Sequence, residues 1–409
     1  MKSRHAAPGV DDAQGLRLDD LDYDLPAELV AQHPVEPRDA SRLLVCRLSE
    51  GAIDDRVFAE LPGLLRAGDV LVRNDTRVFP ARAFFRRATG GRIGALFLRP
   101  AAEGMAGAAG AGAAGPAAAG SGDPAEMWEV LLRGRPRPGE TLTSEALGEG
   151  WPLVAVRPYG DGRWLVTSRG ARSVLELLEE AGVTPLPPYI HEALDDPERY
   201  QTTYARLVGS AAAPTAGLHF TPVLDAALAA AGVTIESVTL HVGLGTFKPL
   251  QEETLAADHL HSETYAVDAA VWARLLAARA QGRRVVAVGT TSVRTLEHLA
   301  RTAPEAAAPA GPPGAAAPAG PPEAAAPAGP PPRFSAGPLA YRGETSLFIT
   351  PGCEFRVVDA IVTNFHLPRT SLLALVMAFC GVERTRRLYA HAVRERYRFY
   401  SFGDAMLAL

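Results

Sequence analysis

From Gly68 to Pro185 the chain is built of short apolar segments, DVLVRN, ARAFFRR, RIGALFLR, WEVLLRG, WPLVAVRP and RWLVTSRG, separated by Gly, Pro and Asp. That spacing is the signature of closely succeeding strands, and it predicts a small β-barrel or sandwich over this stretch. From about Pro187 the pattern changes. Helical stretches such as PVLDAALAAAG and AAVWARLLAARAQG alternate with strand candidates TIESVTLHVG, RRVVAVGT and RVVDAIVTNF, the alternation of an α/β layer domain. The N-terminal segment, with PAELVAQ as a short helix and SRLLVCRL as a strand, fits the second type. The expected fold is therefore a larger α/β domain with a mixed sheet, residues 1–67 and 186–409, plus a smaller inserted β-barrel domain, residues 68–185.

Two stretches do not fit either pattern. Ala101–Ala125 is almost entirely Ala and Gly, and Ala303–Arg333 repeats AAAPAGPP three times. Neither has the apolar surface to offset the entropy of ordering, and the repeat lacks the Gly at every third position that collagen needs. Both read as loop expansions, each marking a place where the chain crosses the surface. For the rest, 47% hydrophobic and 21% charged residues suffice for a sizeable core in a chain of 409. No long apolar run suggests a membrane span, and MKSRHAAPGVDD lacks the apolar centre of a secretory signal. Cys46, Cys353 and Cys380 are scattered, with no CxxC. These features predict a cytoplasmic protein; a monomer is the expectation, though no feature of the sequence fixes it. A net charge of −5 gives no global attraction to nucleic acid, so an RNA partner requires a local basic surface.

Polar residues concentrate in a few Gly- or Pro-flanked segments, as in loops positioned by a rigid scaffold. In GTTSVRTLEH (Gly289–His298) the strand RRVVAVG runs into a helix whose first turn carries Thr290, Thr291 and Ser292, a geometry for anions or ribose and equally one for plain capping. No Lys follows a GxxxxG, so it is not a P-loop. HVGLGTFK holds Gly243 and Gly245, half of a dinucleotide fingerprint without the third Gly, and places His241 at a strand end. In HLHSE an extended chain projects His259, His261 and Glu263 to one side. This arrangement suits a metal, hydrogen bonding to a substrate, or acid–base work. TNFHLP sets Asn364 and His366 at a strand-to-helix corner. Ligand clefts in open α/β sheets lie beyond the carboxyl ends of strands, so His366, Thr290, Thr291 and His241 are expected to converge there. Arg384, Arg387, His391, Arg394 and Arg398 recur at spacings of three and four, one stripe of a helix that suits phosphates or simply solvent.

These segments together resemble the S-adenosylmethionine:tRNA ribosyltransferase-isomerase family. The resemblance rests on DYDLP from Asp22, SRLL from Ser41, NDTRVFPAR (Asn74–Arg82), PLPPYI (Pro185–Ile190), RYQTTYA from Arg199, AAPTAGLHFT, TLHVGLGTFKP, AVGTTSVRTLE, TNFHLP and YRFYSFGDAM (Tyr397–Met406). Departures are slight: GSAAAPTA for GSVAAPTA, HLHSE for HMHSE, HLPRTS for HLPKST, and the two insertions. The resemblance implies a small β-barrel joined to a larger α/β domain. It also implies ribosyl transfer from S-adenosylmethionine to 7-aminomethyl-7-deazaguanine at the wobble position of tRNA, giving epoxyqueuosine-tRNA, adenine and methionine. S-adenosylmethionine is then a consumed cosubstrate, and no metal or prosthetic group is expected.

That chemistry needs a base near the C5′ hydrogens acidified by the sulfonium, and an acid for departing adenine. The candidates in the matched motifs are His219, His241, His261 and His366, with Glu263 and Asp75. Candidates for binding the nucleoside or its carboxylate are Asn74, Thr76, Arg77, Thr215, Lys248, Thr290, Thr291, Arg294 and Asn364. Arg387, Arg394 and Arg398 are the candidates for tRNA phosphates. The expected site is a cleft where the two folding units meet.

Overall fold

A computed structural model describes residues 16–101, 125–160, 162–192, 194–243, 250–252, 255, 259–303 and 340–409. Its strands begin with β1 (Arg42–Cys46), β2 (Ile53–Val57), β3 (Val70–Asn74) and β4 (Thr76–Val78). Six barrel strands follow: β5 (Arg82–Arg87), β6 (Arg92–Pro100), β7 (Ala125–Arg133), β8 (Thr141–Ser144), β9 (Gly148–Gly160) and β10 (Arg163–Arg169). Then come β11 (Leu207–Ser210), β12 (Thr234–Leu240), β13 (His259–Asp268), β14 (Val285–Val288), β15 (Ala340–Leu347), β16 (Ala360–Asn364) and β17 (Ala405–Ala408). The helices of eight or more residues are α1 (Val174–Ala181), α2 (Pro222–Ala230), α3 (Ala269–Ala280), α4 (Gly289–Thr302), α5 (Ser371–Cys380) and α6 (Val382–Arg394).

The large sheet has nine strands in the order β15-β13-β12-β3-β14-β16-β17-β1-β2. Its centre, β12, β3, β14 and β16, is parallel, whereas β13 and β17 run antiparallel to their central neighbours, so the sheet is mixed as expected. β3, β14 and β16 are buried at every position, as strands covered on both faces must be. On one face Leu71, Val286, Val288, Val362 and Leu407 pack with Leu224 and Leu228 of α2. On the other, Val70, Val72, Ala287 and Ile361 pack under α3, α4, α5 and α6. This gives three layers, with the mixed sheet between two helical ones.

The six strands β5–β10 close into an antiparallel barrel filled by Phe85, Phe97, Trp128 and Trp151. Helix α1 stoppers it with Val174, Leu177 and Leu178. Its start is fixed by a capping box in which Ser173 Oγ accepts from Glu176 N and the Glu176 carboxylate accepts from Ser173 N at 2.8 Å.

Two expectations are corrected. DVLVRN, read as the first barrel strand, is instead the middle of the large sheet, hydrogen-bonded to β12 and β14. A run buried on both faces has no alternation from which sequence can assign it to one sheet or the other. PAELVAQ forms only a single 3-10 turn, Ala27–Leu29. The two low-complexity stretches lie almost wholly outside the described residues. The flanking structure places the first between adjacent barrel strands β6 and β7, and the second between α4 and β15. No described helix is long and apolar enough to cross a membrane.

Candidate active site

The carboxyl ends of the parallel strands lie along one edge of the sheet, since Val238 is in register with Asn74, Arg73 with Val288, and Val288 with Val362. Asn74–Thr76, His241, Gly289–Thr291 and Asn364–His366 therefore come to the same edge. A 3-10 helix, Thr215–His219, closes over it. A Cβ added to Gly289 would stand 3.5 Å from the Ala216 methyl and 3.7 Å from Thr291 Oγ1.

One part of this edge is organised by Asn74. Its Nδ2 donates to Leu240 O (2.9 Å) and Thr291 Oγ1 (3.3 Å), and its Oδ1 accepts from Leu240 N (3.0 Å) and Thr76 N (3.2 Å). Every polar site of the amide is used, so Asn74 welds β3, β12 and α4 together. Thr76 Oγ1 lies 2.8 Å from His241 Nδ1. The imidazole rests on backbone at Gly209, where φ is +154° and any Cβ would sit 2.7–2.8 Å from ring atoms. Only glycine admits the ring there. Asp75 is buried and accepts from Thr239 Oγ1 (2.6 Å) and Arg206 Nη2 (2.8 Å). Arg77 pairs with Glu198.

Deeper in the sheet, Glu263 and Arg294 form an ion pair with side chains only 3% and 4% exposed. The same carboxylate accepts from Gly243 N at 2.9 Å, and Arg294 Nε donates to Leu347 O at 3.0 Å. These two residues thus tie the turn after His241 to α4 and the β13–β15 edge. Lys248 lies outside the described residues. Thr290 and Thr291 are buried in the first turn of α4, whose positive dipole end faces the same edge.

The second part surrounds a shallow, open cleft lined by Tyr189, Thr215, Asn364, His366, Tyr400 and Ser401 among others. His366 Nε2 is 2.8 Å from Thr363 Oγ1, and its backbone N–H donates to Tyr389 Oη at 3.1 Å. Burial drives its pKa down to about 3. Tyr189 and Tyr400 stack with centroids 4.4 Å apart, and Tyr189 Oη meets Ser401 Oγ at 2.6 Å. Tyr400 adopts φ +75°, an unusual conformation for a bulky side chain that such sites retain. Its carbonyl accepts from Asn364 Nδ2 at 2.9 Å.

That bond fixes a tautomer. With Asn364 Nδ2 donating, Oδ1 faces His219 Nε2 at 3.2 Å and can only accept, so His219 carries its proton on Nε2. Nδ1 then accepts from Ser41 Oγ at 2.8 Å, and the ring stacks on Phe58 at 4.8 Å. Burial holds its pKa down to about 4, as it does for His241. His219 is thus committed at both nitrogens, through Nε2 to Asn364 and through Nδ1 to Ser41.

The other histidine expectations divide. His241, His219 and His366 share the strand-end edge, but His261 is exposed on β13. The register shift between His259 and Glu263 breaks the period-two projection, leaving His259 and His261 exposed while Glu263 turns inward. The three do not gather, and no set of three or more His, Cys, Asp or Glu fit to hold a metal occurs among the described residues. The cleft holding His366 lies wholly within the α/β domain rather than between the two units.

The basic stripe is also shortened. Helix α6 stops at Arg394 because Arg396 takes φ +55°, with Arg396 N bonding Val393 O and Tyr397 N bonding Ala392 O, the left-handed helix end. Arg398 leaves the stripe, donating to His33 O and lying 3.6 Å from Asp404. Arg394 pairs with Glu395, and Arg387 remains exposed on the helix. Tyr189, Tyr400 and Ser401 were not singled out by sequence, although PLPPYI and YRFYSFGDAM contain them. The signal was the density of aromatic residues beside Pro and Gly in both motifs.

Residues 18–408 match the family model described as queuosine biosynthesis protein. The chain belongs to that family. S-adenosylmethionine:tRNA ribosyltransferase-isomerase of Rubrobacter xylanophilus is 47% identical over 96% of this chain and 98% of its own length. The protein of the same name from Symbiobacterium thermophilum is 45% identical over 96% of this chain and 100% of its own. A crystal structure of S-adenosylmethionine tRNA ribosyltransferase from Thermotoga maritima is 33% identical, covering 95% of this chain and all of that one, with a TM-score of 0.49. As a member of the queuosine biosynthesis family, the chain keeps its strand-end polar residues inside the matched span.

Proposed function

We propose that this protein is an S-adenosylmethionine:tRNA ribosyltransferase-isomerase that moves the ribosyl moiety of S-adenosylmethionine onto 7-aminomethyl-7-deazaguanine in tRNA, releasing adenine and methionine. The observation that carries the reading is the match to relatives of that name along 96% of the chain. The cleft at the strand ends is the site the reaction would use.

Neutral imidazoles suit the first step. The sulfonium acidifies the C5′ hydrogens, and a base must remove one of them. His366 is the histidine placed to do so, since it lines the open cleft and its Nε2 is steadied by Thr363. His219 is a positioning residue: through Asn364 it holds the Tyr400 carbonyl and hence the aromatic wall of the cleft. Tyr189 and Tyr400 offer a flat apolar surface for adenine, and Thr215 and Ser401 offer hydroxyls for ribose. The proton taken from C5′ can pass to adenine as the glycosidic C–N bond breaks. The neutral acceptor amine then forms the new C–N bond to the opened sugar, the C5′–S bond breaks to release methionine as a neutral thioether, and the amine's surplus proton goes to solvent. His241, with Thr76, and the first turn of α4 complete the polar edge. Arg387 and Arg394 remain candidates for tRNA phosphates, and the protein is read as a cytoplasmic monomer.

The test is adenine release from S-adenosylmethionine with and without tRNA bearing the 7-aminomethyl-7-deazaguanine base. Release that depends on the modified tRNA is the expected result. Tight RNA binding with no adenine release would leave a binding protein and overturn the assignment.

A further inference from the structure

Charge is divided unevenly over the molecule. The whole chain has a formal net charge of −5, yet among the described residues between 82 and 169 eleven arginines stand against five glutamates. Strand alternation puts several of these arginines on one face. Ala83 and Phe85, Ile93 and Ala95, and Val130 and Leu132 enter the barrel core. Arg82, Phe84 and Arg86, then Arg92 and Gly94, and finally Arg133 must point outward. Register sets them side by side: Phe84 pairs with Gly94, Gly94 with Arg133, and Arg86 with Arg92.

At the centre of this face lies an aromatic ring. Because Gly94 has no side chain, Phe84 and Arg133 close over it, 3.9 and 3.6 Å from where a Cβ would stand. The Arg92 guanidinium sits 3.9 Å from the Phe84 ring centroid. Glu145 is shared between Arg86 (3.1 Å) and Arg92 (3.0 Å). Neither Arg82 nor Arg133 makes an ion pair with a carboxylate among the described residues. Burial and the neighbouring Arg133 charge both lower the pKa of Arg82. Like charges gathered without counter-charge cost stability, and an anionic partner relieves that cost.

We propose that the outer face of β5–β7, with Arg82, Arg86, Arg92 and Arg133 around Phe84, is a docking surface for the RNA substrate. The inference rests on the reading that tRNA is the acceptor, and it locates where the RNA lies. Guanidiniums on neighbouring strands about 4.8 Å apart meet a phosphate backbone, and the half-buried Phe84 ring between them suits contact with an unstacked base. An acidic membrane surface would call for exposed apolar side chains that insert, whereas the apolar side chains of this face, Phe84, Leu96 and Leu131 among them, are half-buried. The position is also apt. Chain continuity leads from β4, which pairs with β11 beside Gly209 and His241, directly into Arg82.

The experiment compares the wild-type full chain, Arg82→Gln/Arg133→Gln, Phe84→Ala and, as a control of equal charge loss, Arg172→Gln/Arg274→Gln, whose guanidiniums pair with Glu180 on α1 and Glu236 on β12. Binding of a fluorescent tRNA transcript is followed against salt, alongside KM for S-adenosylmethionine and the melting temperature. Each lost phosphate contact lowers the slope of log K against log salt by about 0.7–0.9. At 0.1 M salt that is about 5–8-fold per contact. The double variant should therefore lose about 25–60-fold in RNA affinity with KM for S-adenosylmethionine unchanged. Phe84→Ala should weaken binding without changing the salt slope, and the control should match wild type. Wild-type RNA affinity and slope in the double variant, at an unchanged melting temperature, would overturn the proposal while leaving the enzymatic reading intact. Failure of the wild type to release adenine with modified tRNA would remove that reading instead. Equal losses in the control would reduce the effect to net charge and would also overturn the proposal. Wild-type RNA binding by the double variant together with its loss of binding to phosphatidylserine vesicles would assign the face to membranes and overturn it as well.

Discussion

Replacing Glu263 by Gln changes the shape of the buried pair very little and its electrostatics a great deal. Arg294, 4% exposed, would keep its charge while losing the carboxylate it donates to. Removing one partner of such a buried pair costs about 3–5 kcal/mol, because the remaining charge is neither hydrated nor neutralised. An unfolding entropy of about 2.1 cal/mol/K per residue, over roughly 320 residues, gives about 0.7 kcal/mol per degree. The expected fall in melting temperature is therefore about 4–7 °C. Arg294→Met should cost a similar amount by stranding Glu263. The double variant Glu263→Gln/Arg294→Met should be far less damaged than the sum of the two, since neither charge is then left alone. Calorimetry of the four proteins completes the cycle. Glu263 also holds Gly243 N, so the single variant should raise KM for S-adenosylmethionine through the turn after His241. Additive losses within about 0.5 kcal/mol, or an unchanged melting temperature for Glu263→Gln, would show that the pair is not the buried, coupled unit described.

His366→Ala should reduce kcat by about 10²–10⁴ with little change in melting temperature, whereas His219→Ala should lower the melting temperature because Asn364 and Ser41 lose their partner. Full turnover by His366→Ala would remove it from the proposed chemistry. Gly209→Ala drives a methyl to within 2.8 Å of the His241 ring, so turnover should fall while circular dichroism stays native; unchanged kinetics would show that the ring position is immaterial. Three histidines are held neutral in the fold, with pKa values of about 4 for His219 and His241 and about 3 for His366, against about 6.5 in the unfolded chain. The unfolded state therefore binds more protons below pH 6.5, and the stability due to these groups is complete above that pH. It should decline as pH falls towards 4, by up to about 1.4 kcal/mol per unit for each histidine. Urea midpoints measured from pH 7.5 to 4.5 test this, and a midpoint that rises on acidification would contradict the buried neutral state.

By itself the sequence determined the two kinds of folding unit, because strand and helix periods are local and survive without tertiary context. It also determined the family, through motifs too long to recur by chance. The strand-end location of His241, Thr290, Thr291 and His366 was legible as well, since polar residues that close an apolar strand in an α/β sheet have one edge to occupy. What only the tertiary structure decided is which strand joins which sheet, and which polar groups are already spent. Val70–Asn74 reads alike as a barrel strand or a sheet strand until β12 and β14 flank it. Asn74, Asp75, His219, Glu263 and Arg294 look from sequence like ligands. Folding gives each of them partners in the protein far along the chain, such as Asn364 for His219, 145 residues away. A side chain's free hydrogen-bonding capacity depends on those distant partners, and no local pattern records it.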